Sequence, residues 1–138
     1  MDLEINLKKG IGKLEFGLSI EDVIKEIGSP SDVEELGEDI DRPTTILHYD
    51  QLGLSLFFEI SACTKLSCID LDSKNAILFG KKIIGSCSKD IEELMEKNKI
   101  SNVTKEKEDW GELRISFEDY SIDFYFIDDE LVSATFGK

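Results

Sequence analysis

The sequence predicts an α+β fold: two tandem βαβββ units in a single domain over residues 1–138, with a curved antiparallel sheet packed on two helices in a pseudo-twofold arrangement. Three observations predict it. The stretch Gly12-Lys13-Leu14-Glu15-Phe16-Gly17 recurs as Gly80-Lys81-Lys82-Ile83-Ile84-Gly85, with Asp22 falling on Asp90. Each copy runs into apolar residues at helical spacing, Ile20, Val23, Ile24 and Ile27 in the first and Ile91, Leu94 and Met95 in the second. Alternating strands then follow in both, and Leu54-Ser55-Leu56-Phe57-Phe58 falls on Ile122-Asp123-Phe124-Tyr125-Phe126. The units divide near residue 72, as 1–72 and 73–138.

Taken in order, Leu3, Ile5 and Leu7 alternate with polar residues and read as a strand, followed by a turn at Gly10-Ile11-Gly12. Ser19 is placed to cap a helix, with Glu21 and Asp22 in its first turn, where carboxylates meet the positive end of the helix dipole. Gly28-Ser29-Pro30 stops that helix. Residues 31–44 read as an acidic connection. Strands are expected at Ile46–Tyr49, Leu54–Glu59, Leu66–Leu71 and Ala76–Phe79, the first two joined by the turn Asp50-Gln51-Leu52-Gly53. In the second unit Ser88 is the expected cap, residues 98–112 are polar with Val103 at a strand edge, and strands are expected at Leu113–Phe117, Ser121–Ile127 and Leu131–Phe136.

Strict alternation assigns the two faces of each strand. One set is expected in the core: Leu47, Tyr49, Leu54, Leu56, Phe58, Ser67, Ile69 and Leu71, and then Ile115, Phe117, Ile122, Phe124, Phe126, Val132, Ala134 and Phe136. The other face is mixed: Ile46, His48, Ser55, Phe57, Glu59, Cys68, Asp70 and Asp72, and then Arg114, Ser116, Asp123, Tyr125, Ser133 and Thr135. Phe57 and Tyr125 occupy equivalent positions there, and exposed aromatics anchor partners.

The net charge is −14, and the acidity is spread over both halves: residues 1–69 carry 14 acidic and 6 basic side chains, residues 70–138 carry 16 and 10. Such a surface repels phosphate backbones, so no direct nucleic-acid binding is expected, while a basic partner would be steered inward. No apolar run reaches the length of a membrane span, and the acidic start Met1-Asp2-Leu3-Glu4 does not read as a signal peptide, so a cytoplasmic location is expected. The three cysteines, Cys63, Cys68 and Cys87, form no CxxC pair and fit a reducing compartment.

No catalytic constellation emerges. His48 is the single histidine, so any Ser–His or Cys–His pair must use it. One histidine and three scattered cysteines lack zinc-ligand spacing, neither Asp39-Ile40-Asp41 nor Asp128-Asp129-Glu130 follows a calcium-loop pattern, and Gly10, Gly12 and Gly17 are not a dinucleotide fingerprint. No metal and no cofactor is expected.

The segment from Gly10 to Pro30 combines Phe16-Gly17, Ser19, the carboxylates Glu21 and Asp22, Val23 and the closing Gly28-Ser29-Pro30. In this shape it resembles the opening of small bacterial domains that include BamE-like modules and immunity proteins of contact-dependent growth inhibition and related polymorphic toxin systems. BamE-type lipoproteins carry a signal and a lipobox cysteine, which are not found here, so the resemblance points to the immunity proteins. It implies a non-enzymatic toxin inhibitor that binds a cognate, basic, nuclease-type toxin domain and masks its active site. The candidate contact residues are Glu34, Glu35, Glu38, Asp39 and Asp41, then Glu106, Glu108, Asp109 and Trp110, and on the mixed face Phe57, Asp70, Asp123 and Tyr125. Two alternatives stay open: a small-molecule or enzymatic pocket near His48, Asp70 and Tyr125, and a structural homodimer module.

Overall fold

The computed structural model describes residues 2–36, 44–59 and 64–138. It is a mixed α+β structure with two helices and open, mostly antiparallel sheets. The strands are β1 (Ile5–Asn6), β2 (Gly10–Ile11), β3 (Leu14–Glu15), β4 (Asp32–Leu36), β5 (Thr44–Tyr49), β6 (Leu54–Glu59), β7 (Lys65–Leu71), β8 (Ile77–Leu78), β9 (Lys81–Lys82), β10 (Val103–Lys107), β11 (Glu112–Phe117), β12 (Ile122–Ile127) and β13 (Glu130–Gly137). The helices are α1 (Ile20–Ile27) and α2 (Ser88–Lys97). Eight strands form one antiparallel sheet in the order β10, β11, β12, β13, β7, β6, β5, β4. Two small sheets, β1-β2-β3 and β8-β9, touch through a parallel bridge between Glu4 and Ile77.

Each helix is followed by four strands of the large sheet, where three were expected. The acidic connection after α1 begins as β4, and the polar stretch after α2 contains β10. Both are edge strands with every residue exposed, so neither carries the half-buried alternation by which a strand is read. The expected turn at Gly10-Ile11-Gly12 is also revised: Gly10 and Ile11 form β2, and Ile11 is fully buried.

One apolar cluster lies between a single face of the large sheet, the helices and the small sheets. The expected core residues fill it with two exceptions, Ser67 and Val132. A bulge lies between Phe57 and Phe58, where Phe57 faces Cys68 but Phe58 faces Leu66, leaving Ser67 over. The same occurs between Tyr125 and Phe126, which face Ser133 and Leu131 and leave Val132 over. An extra residue reverses the phase of alternation. Leu66 and Leu131 are therefore buried, and Val132 is exposed.

The glycines shared by the two opening stretches gain a physical role at these bulges. Gly17 N–H donates to Leu66 O at 2.9 Å, and Gly85 N–H donates to Leu131 O at 2.9 Å. The entry to each helix is thus pinned to a central strand beside its bulge. Phe16 packs edge-on against Phe136, with ring centroids 6.1 Å apart. At the far end of α1, Tyr49 Oη donates to Gly28 O at 2.8 Å.

Ser19 caps α1 as expected, its hydroxyl accepting from Asp22 N–H at 3.1 Å. Ser88 does not cap α2. Cys87 holds the cap position without a side-chain bond, and Ser88 stands in the first turn. The orphan N–H there is satisfied from the β12–β13 turn: Asp129 Oδ1 accepts from Ser88 N–H at 3.0 Å and from its hydroxyl at 2.6 Å. These two donors hold the Asp129 carboxyl below its ordinary value of 3.8. A depressed acid adds stability above the unfolded pKa and loses it as pH falls through the folded one. Asp129→Ala is therefore expected to lower Tm at pH 7, and the difference from the parent should vanish as the pH is taken below 3.8 in thermal melts.

Candidate functional site

Residues directly opposite on neighbouring strands point to the same face of a sheet. Following the register from edge to edge gives one row across the uncovered face: Asp32, His48, Ser55, Asp70, Thr135, Asp123, Ser116 and Thr104. Every member is polar. Seven strand spacings make the row about 34 Å long. Beside it run Glu34, Ile46, Phe57 and Cys68 on one half, and Ser133, Tyr125, Arg114 and Glu106 on the other. Ile46 stands on the mixed face as expected, but it is buried there between Glu34 and Phe57. Ser116 is buried too.

Thr135 Oγ1 donates to Asp70 Oδ1 at 3.3 Å across the seam of β7 and β13. Burial pushes the Asp70 carboxyl above its ordinary value of 3.8, the Thr135 hydroxyl opposes this, and Asp72 adds to it. The Tyr125 hydroxyl is also raised, chiefly by burial and then by Asp123. Burial, with the charges of Asp70 and Glu59, pushes the Cys68 thiol up to about 11. Cys68 is therefore a protonated thiol at neutral pH and a poor nucleophile. A groove of about 480 Å³ opens beside the seam, lined by Asp50, Gly53, Leu54, Ser55, Asp70, Leu71, Asp72 and Ser133. A larger groove, of about 570 Å³, lies on the helix side between β9 and α2, where Lys81, Lys82 and Lys97 are interspersed with Asp90, Glu93 and Glu96.

An acid with a raised folded pKa works against the fold once ionised. Stability is highest where both states are protonated and declines as pH rises through the folded pKa. Asp70→Asn is accordingly expected to raise Tm at pH 7, with the gain disappearing below 3.8. Thermal melts across pH read this directly, and a lower Tm at neutral pH would contradict it.

The candidate contact residues do not converge on one patch. Phe57, Asp70, Asp123 and Tyr125 share the open face. Glu34 joins them at the β4 edge, while Glu35 points to the helix side. Glu106 lies at the opposite edge and is ion-paired with Arg114. Trp110, 66% exposed, stands with Glu108 and Asp109 at the turn beyond β10, about seven strand spacings from β4. Glu38, Asp39 and Asp41 lie outside the described residues.

Sequence reading missed one constellation. His48 Nδ1 lies 2.9 Å from Ser55 Oγ, and its Nε2 lies 3.2 Å from Glu34 Oε1. In the tautomer with the proton on Nε2, the ring donates to the Glu34 carboxylate and Nδ1 accepts from the serine hydroxyl. The turn at 50–53 sets His48 opposite Ser55, so this pair was readable from the hairpin alone. The polarity is that of a nucleophile–base–acid chain. Among the described residues β6 is paired on both sides, so its own backbone offers no free N–H to a developing oxyanion, and Asp70 directly across from Ser55 opposes negative charge. Tyr125 is two strands beyond Asp70, so His48, Asp70 and Tyr125 do not enclose one pocket. Among the described residues no three histidine, cysteine or carboxylate side chains cluster as metal ligands, and no helix is long and apolar enough to cross a membrane.

No family model and no curated protein matches the sequence. Solved structures do share the fold. The uncharacterized protein yfeY from Escherichia coli superposes over 100% of both chains with a TM-score of 0.61 at 11% identity. An extracellular protein containing a SCP domain, from Bacillus anthracis, matches 97% of this chain with a TM-score of 0.53 at 16% identity, and the match spans 50% of that protein. Likenesses at these identities establish the architecture alone.

Proposed function

We propose that the chain is a non-catalytic binding protein whose open sheet face receives a basic protein partner, as an immunity protein masks a toxin domain. The observation that carries this reading is the unbroken polar row across eight strands, with Asp32, Asp70 and Asp123 along it and Phe57 and Tyr125 beside it. A face about 34 Å by 20 Å approaches the roughly 800 Å² that each partner buries in a stable complex. Carboxylates steer a basic partner to the face, and the two aromatics supply anchoring contact area. The test is co-expression with any basic toxin domain that a neighbouring gene encodes. Growth should be rescued by the parent and lost with the double variant Asp70→Lys, Asp123→Lys; rescue by both contradicts the reading. The serine, histidine and glutamate chain favours a hydrolase as the second reading, which expects p-nitrophenyl ester turnover that His48→Ala abolishes.

We further infer that the chain is an internal duplication about a pseudo-twofold axis between β7 and β13. Supporting it are the bulges at matching positions and the Gly17 and Gly85 pins. The left-handed residues Gly53 and Ser121 also close matching turns, one after β5 and one after β11. On this reading Asp32, His48, Ser55 and Asp70 answer to Thr104, Ser116, Asp123 and Thr135, so the acidic pattern of the face is not duplicated with the fold.

A further inference from the structure

We infer that the outer edge of β4 is a docking strand, which takes an extended segment of the partner bearing lysine or arginine as a ninth strand of the sheet. This rests on the proposed basic partner and adds how one segment of it is held.

Among the described residues the sheet ends in two edges, and an edge presents a row of unpaired backbone N–H and C=O groups. The two edges are not alike. On β10, Lys105 is tied to Glu92 of α2, Glu106 is tied to Arg114, and Lys107 stands at the strand end. Lysines at an edge are a common device against strand addition. β4 reads Asp32-Val33-Glu34-Glu35-Leu36, with no lysine, arginine or proline, and its register to β5 is regular.

The backbone of β4 also shows a donor turned outward. Val33 N–H donates to Asp32 Oδ1 at 2.9 Å instead of to β5. The carboxylate stands where the carbonyl of an incoming strand would accept. Period two turns the Glu35 N–H outward as well.

Charge selects the occupant. A second copy adding its own β4 would set three carboxylates against three carboxylates, which repel across a ladder. An extended segment with basic side chains places opposite charges there, its main chain giving affinity and its side chains specificity. Val33 and Leu36, 52% and 48% exposed, offer apolar surface to the stems of lysine or arginine.

The experiment uses the intact chain and a blocked synthetic peptide of about ten alternating lysines and threonines, long enough to span a five-residue strand. Hydrogen exchange at Val33 and Glu35 should slow about tenfold on binding while residues 103–107 stay unchanged. Glu35→Pro removes an outward N–H where an edge strand tolerates proline, and should weaken the peptide about tenfold. Glu35→Lys, which keeps every backbone bond, should weaken it in the same direction. Equal protection at β10, full affinity in both variants, or a mass that doubles with concentration without peptide overturns the inference. Peptide effects confined to Asp70 and Asp123 overturn the edge and leave the basic-partner reading standing; no binding at low salt counts against both.

Discussion

Phe58→Ala is expected to destabilise the chain by about 3–5 kcal/mol, while Phe57→Ala beside it costs about 1 kcal/mol or less. The two residues are adjacent on β6 and chemically identical, and only the face differs. Phe58 is fully buried in the cluster beneath the helices, so truncation leaves a cavity as well as lost apolar burial. Phe57 is half-buried on the uncovered face, where a smaller side chain leaves no enclosed void. Urea unfolding measures both, and in thermal melts Phe58→Ala should lower Tm by on the order of 10 °C. On the proposed open-face reading the functional order is reversed: Phe57→Ala should weaken binding of a basic partner and Phe58→Ala should act only through stability. Equal destabilisation by the two would mean that the sheet has no uncovered face.

Gly10→Ala is the second large effect. Gly10 holds φ +147°, a region that side-chain-bearing residues rarely enter. A Cβ added there would lie 1.9 Å from Leu14 O and 2.9 Å from Glu15 Cα, both backbone atoms of the paired strand β3. No rotamer relieves that overlap, so β2 and β3 must separate and open the buried site of Ile11 and Leu14. The expected cost exceeds about 4 kcal/mol. Gly80 provides the control. Its φ is also positive, at +78°, but no atom lies within 4 Å of an added Cβ, so Gly80→Ala should cost only about 1–2 kcal/mol of backbone strain. Comparable costs at both positions would contradict the close approach at Gly10.

The faces of the strands were legible in the sequence because apolar residues recur at every second position, and along β6 and β12 burial follows the same period. What escaped notice follows from the same rule. Asp32–Leu36 and Val103–Lys107 bury nothing, so two strands carried no periodic signal. Ser67 and Val132 were misassigned because a bulge adds one residue without changing composition. Ser88 looked like a cap, but the acceptor for its N–H comes from Asp129, 41 residues away. For the site, shared parity placed Phe57, Asp70, Asp123 and Tyr125 together on one face. Which strands lie side by side was not readable: the pairing of β7 with β13 sets Asp70 against Thr135, one strand from Asp123. The same order puts Trp110 and the acidic β4 at opposite edges, so they cannot form one compact patch.

The association rate of the chain with a basic protein partner, such as an inactivated toxin domain if a neighbouring gene encodes one, followed as salt is raised, tests the proposed open-face reading most directly. Steering by exposed carboxylates predicts a rate that falls by about tenfold or more between low and high salt, and a lower, flatter dependence for the double variant Asp70→Lys, Asp123→Lys. A rate indifferent to salt, or one that the double variant leaves unchanged, would contradict it.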